Sequence, residues 1–262
     1  MWYDELHLHF ASRLPVAFCK DRESQKQIVR IVSELQNLQP VPASDLGDLD
    51  TAAKRRTEAR MSKISRLEAE LDEAIFDLYE LNDAERDLVR DMCRYGLDFF
   101  YRRDKSIAVQ PVTILQPSHG LFKDLPDERA DGLAVYLQVF LSQWNADLEP
   151  DGELAWEVIE GPVGSSVIAI LFSTIDKGAS CSSAQQSAPQ SWKDVLARVS
   201  KRSLVPVGAR RTIYTDTFVR AVSEHEILII KRNEARHWTR SMAREDADAT
   251  IARAMQLADQ KS

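Results

Sequence analysis

Two carboxylates near the middle of the chain have the spacing of a metal-dependent nuclease site. Asp151 follows Pro150, and Glu157 comes six residues later on a predicted strand. Such an acidic pair, followed by a lysine, can hold Mg²⁺ and activate water. Ile159 occupies the lysine position. A degenerate nuclease around Asp151 and Glu157 is therefore an alternative hypothesis, and acidic side chains on an exposed strand face are the simpler explanation.

The other reactive side chains form no familiar catalytic pattern. His7 and His9 have the spacing of two ligands on one side of a strand, but a third ligand is not identified. The chain contains no phosphate-binding G-x-x-x-x-G-K-[ST] loop, no G-x-S-x-G elbow, no glycine-rich cofactor loop and no Asn/Asp-Pro-Pro-Tyr-type motif. We therefore expect no catalytic residue, no cofactor and no metal ion here.

A basic segment near the C-terminus has the character of a phosphate-binding surface, because it combines cations with an aromatic residue between a predicted strand and helix. The expected DNA-contact residues are Lys231, Arg232, Arg236, Trp238 and Arg240. Cations that could extend this surface are Arg94, Arg102, Arg103, Lys105, Lys201, Arg202, Arg210 and Arg211. In the alternative interpretation, Trp238 anchors the last helix while the arginines pair with Asp246 and Asp248.

Composition limits where DNA could bind. With 34 basic and 41 acidic residues, the net charge of −7 requires any DNA contact to be local. Three cysteines without a C-x-x-C pair indicate neither a disulfide framework nor a zinc site. The N-terminus lacks a signal-peptide pattern and the longest apolar run, 167–172, is too short to span a bilayer. These features predict a cytoplasmic protein without a membrane partner.

The first 110 residues predict a helical domain. Apolar residues three and four apart indicate a helix over 24–39, and a charged stretch over 51–81 has nearly a heptad pattern. A proline-rich break separates the two, which favours an antiparallel, coiled-coil-like helical hairpin, although a compact bundle would show similar stripes. Asn82 or Asp83 should cap a third helix that ends at Gly96. The expected partner-docking residues are Ile28, Ile31, Leu35, Ile64, Leu67, Leu71, Leu78 and Tyr79.

Residues 111–262 predict a small α+β domain with antiparallel strands and flanking helices. Helices are expected over 128–145, 192–200 and 241–257, and strands over 153–160, 165–175, 212–222 and 226–232. The polar, serine-rich stretch 178–190 predicts a mobile loop. The predicted order is helix, strand, strand, helix, strand, strand, helix, with antiparallel hairpins as the simplest pairing.

Two stretches resemble the C-terminal, target-recognition and spacer-helix region of type IIG N6-adenine DNA methyltransferases. In that family a charged helix runs into a Leu-Tyr-Gly-Leu element and an acidic helix start. Residues 64–89 resemble this element, and the matching residues are Leu78, Tyr79, Leu81 and Glu85. Glu80 replaces the glycine, which predicts a more helical turn than in the family.

The second stretch, 231–248, is similar to a C-terminal element of some large methylases of that group. The matching residues are Asn233, Glu234, Arg236, Trp238, Thr239, Asp246, Ala247 and Asp248, with Arg232 at the position of a proline. Residues 24–29 also resemble the entry to the spacer helices of type I specificity subunits.

The resemblance implies a methylase tail that stands alone. We therefore expect a non-catalytic accessory or specificity-type subunit of a DNA restriction-modification, antiviral defence complex. Its hairpin would dock a separate DNA methyltransferase subunit, and its α+β domain would stabilise the complex or contact DNA. Besides the nuclease, the remaining alternative is a structural adaptor that does not bind DNA.

Overall fold

The structure is a computed structural model that describes residues 17, 21–38, 51–115, 119–121, 132–150, 152–161, 164–176, 192–203 and 218–260. Its fold class is α+β, as predicted. The chain divides into two compact units, Met1–Arg86 and Asp87–Ser262. Residues 87–110 thus group with the second unit, and the domain boundary near 110 stays a prediction. No helix in the described ranges is long and apolar enough to cross a membrane.

The described part of the first unit includes two long helices, α1 (Arg22–Asn37) and α2 (Thr51–Leu78). Ion pairs join them between Glu34 and Lys63 at 3.4 Å and between Arg30 and Glu70 at 3.8 Å. The partners run in opposite order along the two helices, as an antiparallel pair requires. The coiled-coil hairpin stays a prediction, because the connecting residues 39–50 lie outside the described part of the chain.

Helix α2 ends in a left-handed turn at Glu80, whose φ is 56°. The Glu80 amide donates to the Asp77 carbonyl and the Leu81 amide donates to the Phe76 carbonyl, each at 3.0 Å. This pair of bonds is the Schellman arrangement, in which the left-handed position is usually glycine. The expectation of a more helical turn is therefore wrong, because Glu80 adopts the backbone conformation that favours glycine.

Helix α3 (Asp83–Asp91) begins with a capping box. The Asn82 side chain accepts from the Glu85 amide at 3.0 Å, and the Glu85 carboxylate accepts from the Asn82 amide at 2.8 Å. The predicted cap is thus confirmed at Asn82. The predicted stop at Gly96 is wrong, because a π-helical turn (Met92–Leu97) carries the chain into α4 (Asp98–Arg102). Two 3₁₀ turns, Arg103–Lys105 and Ile107–Val109, follow.

An antiparallel five-stranded sheet forms the centre of the second unit, in the order β1-β2-β3-β5-β4. The strands are β1 (His119–Gly120), β2 (Gly152–Glu160), β3 (Val167–Asp176), β4 (Val219–Val222) and β5 (Glu226–Arg232). The predicted hairpins β2–β3 and β4–β5 are confirmed. The short edge strand β1 was not predicted, since two residues carry no alternating pattern.

Helices cover both faces of this sheet. Helices α5 (Leu133–Leu148) and α7 (Arg240–Asp259) pack on the face that carries Trp156, Phe172 and Ile229. Helix α6 (Trp192–Ser203) packs on the opposite face, against Leu171 and Leu228. The alternation of side chains along each strand produces these two apolar faces. The predicted mobile loop 178–190 lies outside the described residues.

Candidate nucleic-acid interface

Lys231, the first expected DNA-contact residue, lies inside the molecule. It follows Ile227 and Ile229 in the strand alternation of β5, so its side chain enters the face covered by α5 and α7, and it is only 1% exposed. Its ammonium pairs with the Asp246 carboxylate of α7 and donates to the His237 carbonyl at 3.1 Å. A buried charge of this kind is tolerated only when it is paired and hydrogen-bonded.

Three aromatic rings surround the Lys231 ammonium. The ring centroids of Tyr136, Phe218 and Trp238 lie 5.0, 4.8 and 5.3 Å from Nζ. Ring faces attract cations, and the attraction is strengthened when water is excluded. Burial nevertheless lowers the pKa of Lys231, because desolvation disfavours its charged form more than Asp246 favours it.

Asp246 is the centre of this buried network. One carboxylate oxygen accepts from the Tyr136 hydroxyl at 2.5 Å and from Lys231. The other accepts from Nε of Arg220 at 2.7 Å, and Arg220 also pairs with Glu245 at 2.8 Å. Burial raises the pKa of Tyr136 well above its ordinary value, and the negative Asp246 adds to the effect. The network ties α5, α7, β4 and β5 together.

Trp238 is also buried. It is 1% exposed, and its indole N–H donates to the Arg232 carbonyl at 2.9 Å. Lys231 and Trp238 therefore offer no side-chain surface to a phosphate in this structure. The alternative interpretation is correct that Trp238 anchors the start of the last helix. Asp246, however, pairs with Lys231 and with Arg220. The Asp248 carboxylate accepts a hydrogen bond from the Gln143 side chain.

The three arginines of the expected DNA-contact set remain at or near the surface. Arg232 is 63% exposed and lies 3.5 Å from Glu234. Arg236 pairs with the same carboxylate at 2.7 Å and lies over the Phe99 ring at 4.6 Å. Arg240 is half-buried at the first position of α7. The DNA-contact prediction for this segment therefore depends on these three arginines.

His237 adds no positive charge to this region at neutral pH. Its pKa is lowered to about 4, first by burial and then by the nearby Arg236. Its ring packs edge-on against Phe218 at 5.0 Å. Its 3.5 Å contact with Glu234 is therefore not an ion pair at neutral pH.

The fold places the chain segment 91–112 beside the basic segment 232–241. The Ser241 amide donates to the Asp91 carboxylate at 2.9 Å, and the Ala235 amide donates to the Gln110 carbonyl at 2.8 Å. The Val112 amide donates to the Asn233 side chain at 2.9 Å. Two stretches more than a hundred residues apart in sequence thus become neighbours in space.

Segment 91–112 contributes exposed rings and cations. Phe100 and Tyr101 are 53% and 62% exposed, and Arg102, Arg103 and Lys105 are also exposed. The half-buried Phe99 ring lies 6.0 Å from the Arg103 guanidinium and 4.6 Å from that of Arg236, so it connects the two segments. We call the following set the basic–aromatic surface: Phe100, Tyr101, Arg102, Arg103, Lys105, Arg232 and Arg236.

The backbone at Arg103 is held in an unusual conformation, with φ 52° and ψ −118°. Non-glycine residues avoid this region, which costs on the order of 1–3 kcal/mol. Asp98 stabilises the turn, because its carboxylate accepts from the Ser106 hydroxyl at 2.6 Å and from the Ile107 amide at 2.8 Å. The Ser106 hydrogen bond is also the main reason that the pKa of Asp98 is lowered.

Of this surface, the sequence singled out Arg232 and Arg236 as contact residues and the cations at 102, 103 and 105 as an extension. It missed Phe100 and Tyr101. Their position directly before Arg102-Arg103 was the available clue, because rings interleaved with cations are typical of single-strand binding. Arg94, another expected extension, is exposed and its guanidinium lies 5.4 Å from the Tyr95 ring centroid, whereas the side chains at 201–202 and 210–211 lie outside the described part of the chain.

The expected partner-docking residues of the first unit differ in exposure. Ile31 and Leu67 are fully buried, so they belong to the apolar core and offer no surface to a partner in this structure. Tyr79 is 43% exposed, and its hydroxyl accepts from the Ala17 amide at 3.5 Å. The other members are half-buried: Ile28, Leu35, Ile64, Leu71 and Leu78.

The two carboxylates of the nuclease hypothesis are not joined by described contacts. Asp151 lies outside the described residues. Glu157 lies in β2 opposite Leu171 of β3 and His119 of β1 in the register. In the described ranges, no group of three or more His, Cys, Asp or Glu side chains is arranged to hold a metal ion.

Comparison of the chain with protein-family models, with curated proteins and with solved structures gave no match.

Proposed function

We propose that this chain is a DNA-contacting accessory or specificity-type subunit of a restriction-modification, phage-defence complex whose catalysis belongs to a separate DNA methyltransferase subunit. The observation that carries the DNA-contacting half is the basic–aromatic surface, which two distant basic segments form together. The methyltransferase half is supported by the resemblance of residues 64–89 and 231–248 to the C-terminal region of type IIG methyltransferases.

Charge supports a local DNA contact on this acidic chain. Residues 94–105 contain four cations and two carboxylates, and residues 232–240 contain three arginines and one carboxylate. Both segments are therefore positive, although the whole chain has a net charge of −7. Cations that neutralise phosphates release counterions, which supplies most of the sequence-independent affinity for DNA.

The docking half of the proposal concerns the helical pair of the first unit. Exposed apolar side chains lie on both helices or directly after them, at Val29, Met61 and Tyr79. We propose that α1 and α2 form the antiparallel hairpin and that it binds the methyltransferase subunit through side chains of this kind. Such a division leaves the second unit to contact DNA.

DNA binding can be tested by fluorescence anisotropy with a labelled 30-base-pair duplex over a range of salt concentrations. The variant Arg102→Ala/Lys105→Ala/Arg232→Ala removes three exposed cations of the basic–aromatic surface. We expect weaker binding and a shallower dependence of log K on log salt, by about one for each cation that contacts phosphate.

The matched control removes three exposed cations of the first unit, in Arg22→Ala/Lys26→Ala/Arg55→Ala. It should leave affinity and salt dependence close to those of the parent chain. The proposed DNA contact is wrong if the parent chain binds neither this duplex nor its separated strands, or if both triple variants weaken binding equally.

A further inference from the structure

The exposed rings of the basic–aromatic surface have no role in contacting phosphates. Phe100 and Tyr101 are adjacent in sequence, and their ring centroids lie 5.1 Å apart with an interplanar angle of 86°. In this arrangement the edge of one ring meets one face of the other, and both rings stay more than half exposed, Phe100 at 53% and Tyr101 at 62%. Each ring thus keeps exposed apolar surface beside a group of cations.

Ring faces of this kind bind unpaired bases. In a duplex the bases are stacked on one another and their faces are closed, whereas each base of a single strand can stack on an aromatic side chain. Stacking on a ring strengthens the binding of a single strand and tolerates any base. The rings can therefore strengthen the binding of a single strand, but they add little to the binding of a duplex.

The cations are placed to follow a single strand. Arg102, Arg103 and Lys105 come directly after the two rings, and the Arg103 guanidinium lies 5.6 Å from the Phe100 ring centroid. A strand whose bases stack on Phe100 and Tyr101 would bring its phosphates to these cations. Charge beside stacking rings is the combination that single-strand-binding proteins use.

Hydrogen bonds within the chain also fix the turn formed by residues 98–107, without any ligand. Asp98 holds Ser106 and Ile107, and this contact closes the turn that carries Arg103 in its unusual backbone conformation. A surface that is already ordered loses less conformational entropy on binding. The backbone turn that follows the rings and carries Arg103 is thus held in one conformation by these hydrogen bonds.

From these observations we infer that the basic–aromatic surface binds single-stranded DNA in preference to duplex, with Phe100 and Tyr101 stacking on bases and Arg102, Arg103 and Lys105 contacting phosphates. The inference rests on the proposed function, because it concerns the same surface. It adds that the chain would engage DNA where the strands are separated.

A protein partner is the competing occupant. Met92 and Leu97, in the preceding π-helical turn, are also exposed and would suit an apolar protein surface. Leucine in place of each ring separates the two occupants. It keeps apolar area, which a protein partner could still bury, but removes the flat face on which a base stacks.

The test compares the full chain with its Phe100→Leu/Tyr101→Leu variant, using labelled fifteen-nucleotide oligo(dT) and a fifteen-base-pair duplex in the same buffer. We expect the parent chain to bind the single strand more tightly. We expect the leucine variant to lose about tenfold or more of single-strand affinity, equivalent to at least ~1.4 kcal/mol, and to lose much less duplex affinity. The variant Phe100→Tyr/Tyr101→Phe retains both rings and should bind as the parent does.

The possible failures are distinguishable. Equal affinity of the parent chain for single strand and duplex, or unchanged single-strand binding by the leucine variant, would overturn this inference and leave the proposed DNA contact standing. Absence of binding to either DNA would overturn both and leave a protein partner as the occupant of the surface.

Discussion

The sequence around Lys231 predicts an exposed side chain, whereas the structure shows a buried one. In the sequence it opens a basic segment, and its neighbours Arg232 and Arg236 favour a surface position. In the structure the two-residue period of β5 turns it inward, to Asp246 and three aromatic rings. The period of the strand therefore decides its position more strongly than the charge of its neighbours does.

The first prediction concerns the buried network. Asp246→Ala should lower the free energy of unfolding by about 3–5 kcal/mol, because it leaves the Lys231 ammonium buried without its counter-charge. Urea denaturation followed by circular dichroism measures the loss. Arg220 also loses its contact with Asp246 in this variant, but it is partly exposed and retains its ion pair with Glu245. It should therefore add little to the loss of stability.

Replacement of the whole network provides the control. Lys231→Met/Asp246→Leu/Tyr136→Phe removes both buried charges and the hydroxyl that depends on them, and should be more stable than Asp246→Ala alone. If the triple variant is no more stable than the single variant, the network does not stabilise the fold through charge pairing.

At the level of elements, the ends of helices show where local sequence rules hold and where they fail. The capping box at Asn82 and Glu85 was predictable, because the bonds link residues three apart. The turn at Glu80 was not, because glutamate does not indicate a left-handed conformation. Arg86 helps to hold this turn: its Nε donates to the Leu81 carbonyl at 2.9 Å and its guanidinium pairs with Asp77 at 2.6 Å.

The second prediction follows from the φ of 56° at Glu80. Glu80→Gly should raise the free energy of unfolding by about 1 kcal/mol, since glycine adopts the left-handed conformation without a clash of its Cβ. Urea denaturation measures the gain. Glu85→Gly, five residues away inside α3, is the control and should destabilise the chain, because it removes the cap and places glycine within a helix. Destabilisation by both changes would contradict the left-handed turn.

The strands and helices of the second unit were predicted more closely than the segment that carries the rings. Strand β5 has the predicted bounds, and β2 differs by one residue, because alternating or continuous apolar runs mark buried strands. The segment 92–109 follows no single period, since it passes through π-helical, α-helical and 3₁₀ turns within eighteen residues. Phe100 and Tyr101 lie in this segment, which is why the sequence did not single them out.

At the scale of the whole molecule, the chain consists of two compact units that the proposed function uses differently. The core of the second unit is formed by residues from 112 to 254, all within that unit. It therefore contains its own apolar core, which is the condition for independent folding.

The third prediction uses this division. A chain that begins at Asn82, and so keeps the capping box of α3, should unfold cooperatively in urea and bind duplex DNA with the affinity of the full chain. If the proposed docking is right, it should fail to co-purify with a DNA methyltransferase subunit that co-purifies with the full chain. Co-purification of the shortened chain would contradict docking through the helical hairpin, and a non-cooperative transition would contradict independent folding of the second unit.

Local patterns in the sequence were enough to establish the α+β class, the antiparallel hairpins β2–β3 and β4–β5, and the cap at Asn82, because each depends on residues close together along the chain. The basic–aromatic surface could be recognised only from the tertiary structure. Whether a cation lies inside or outside depends on partners that may be far away, as Asp246 is for Lys231 and Phe99 is for Arg236. The joining of segments 91–112 and 232–241 rests on hydrogen bonds across more than a hundred residues, which no local period encodes.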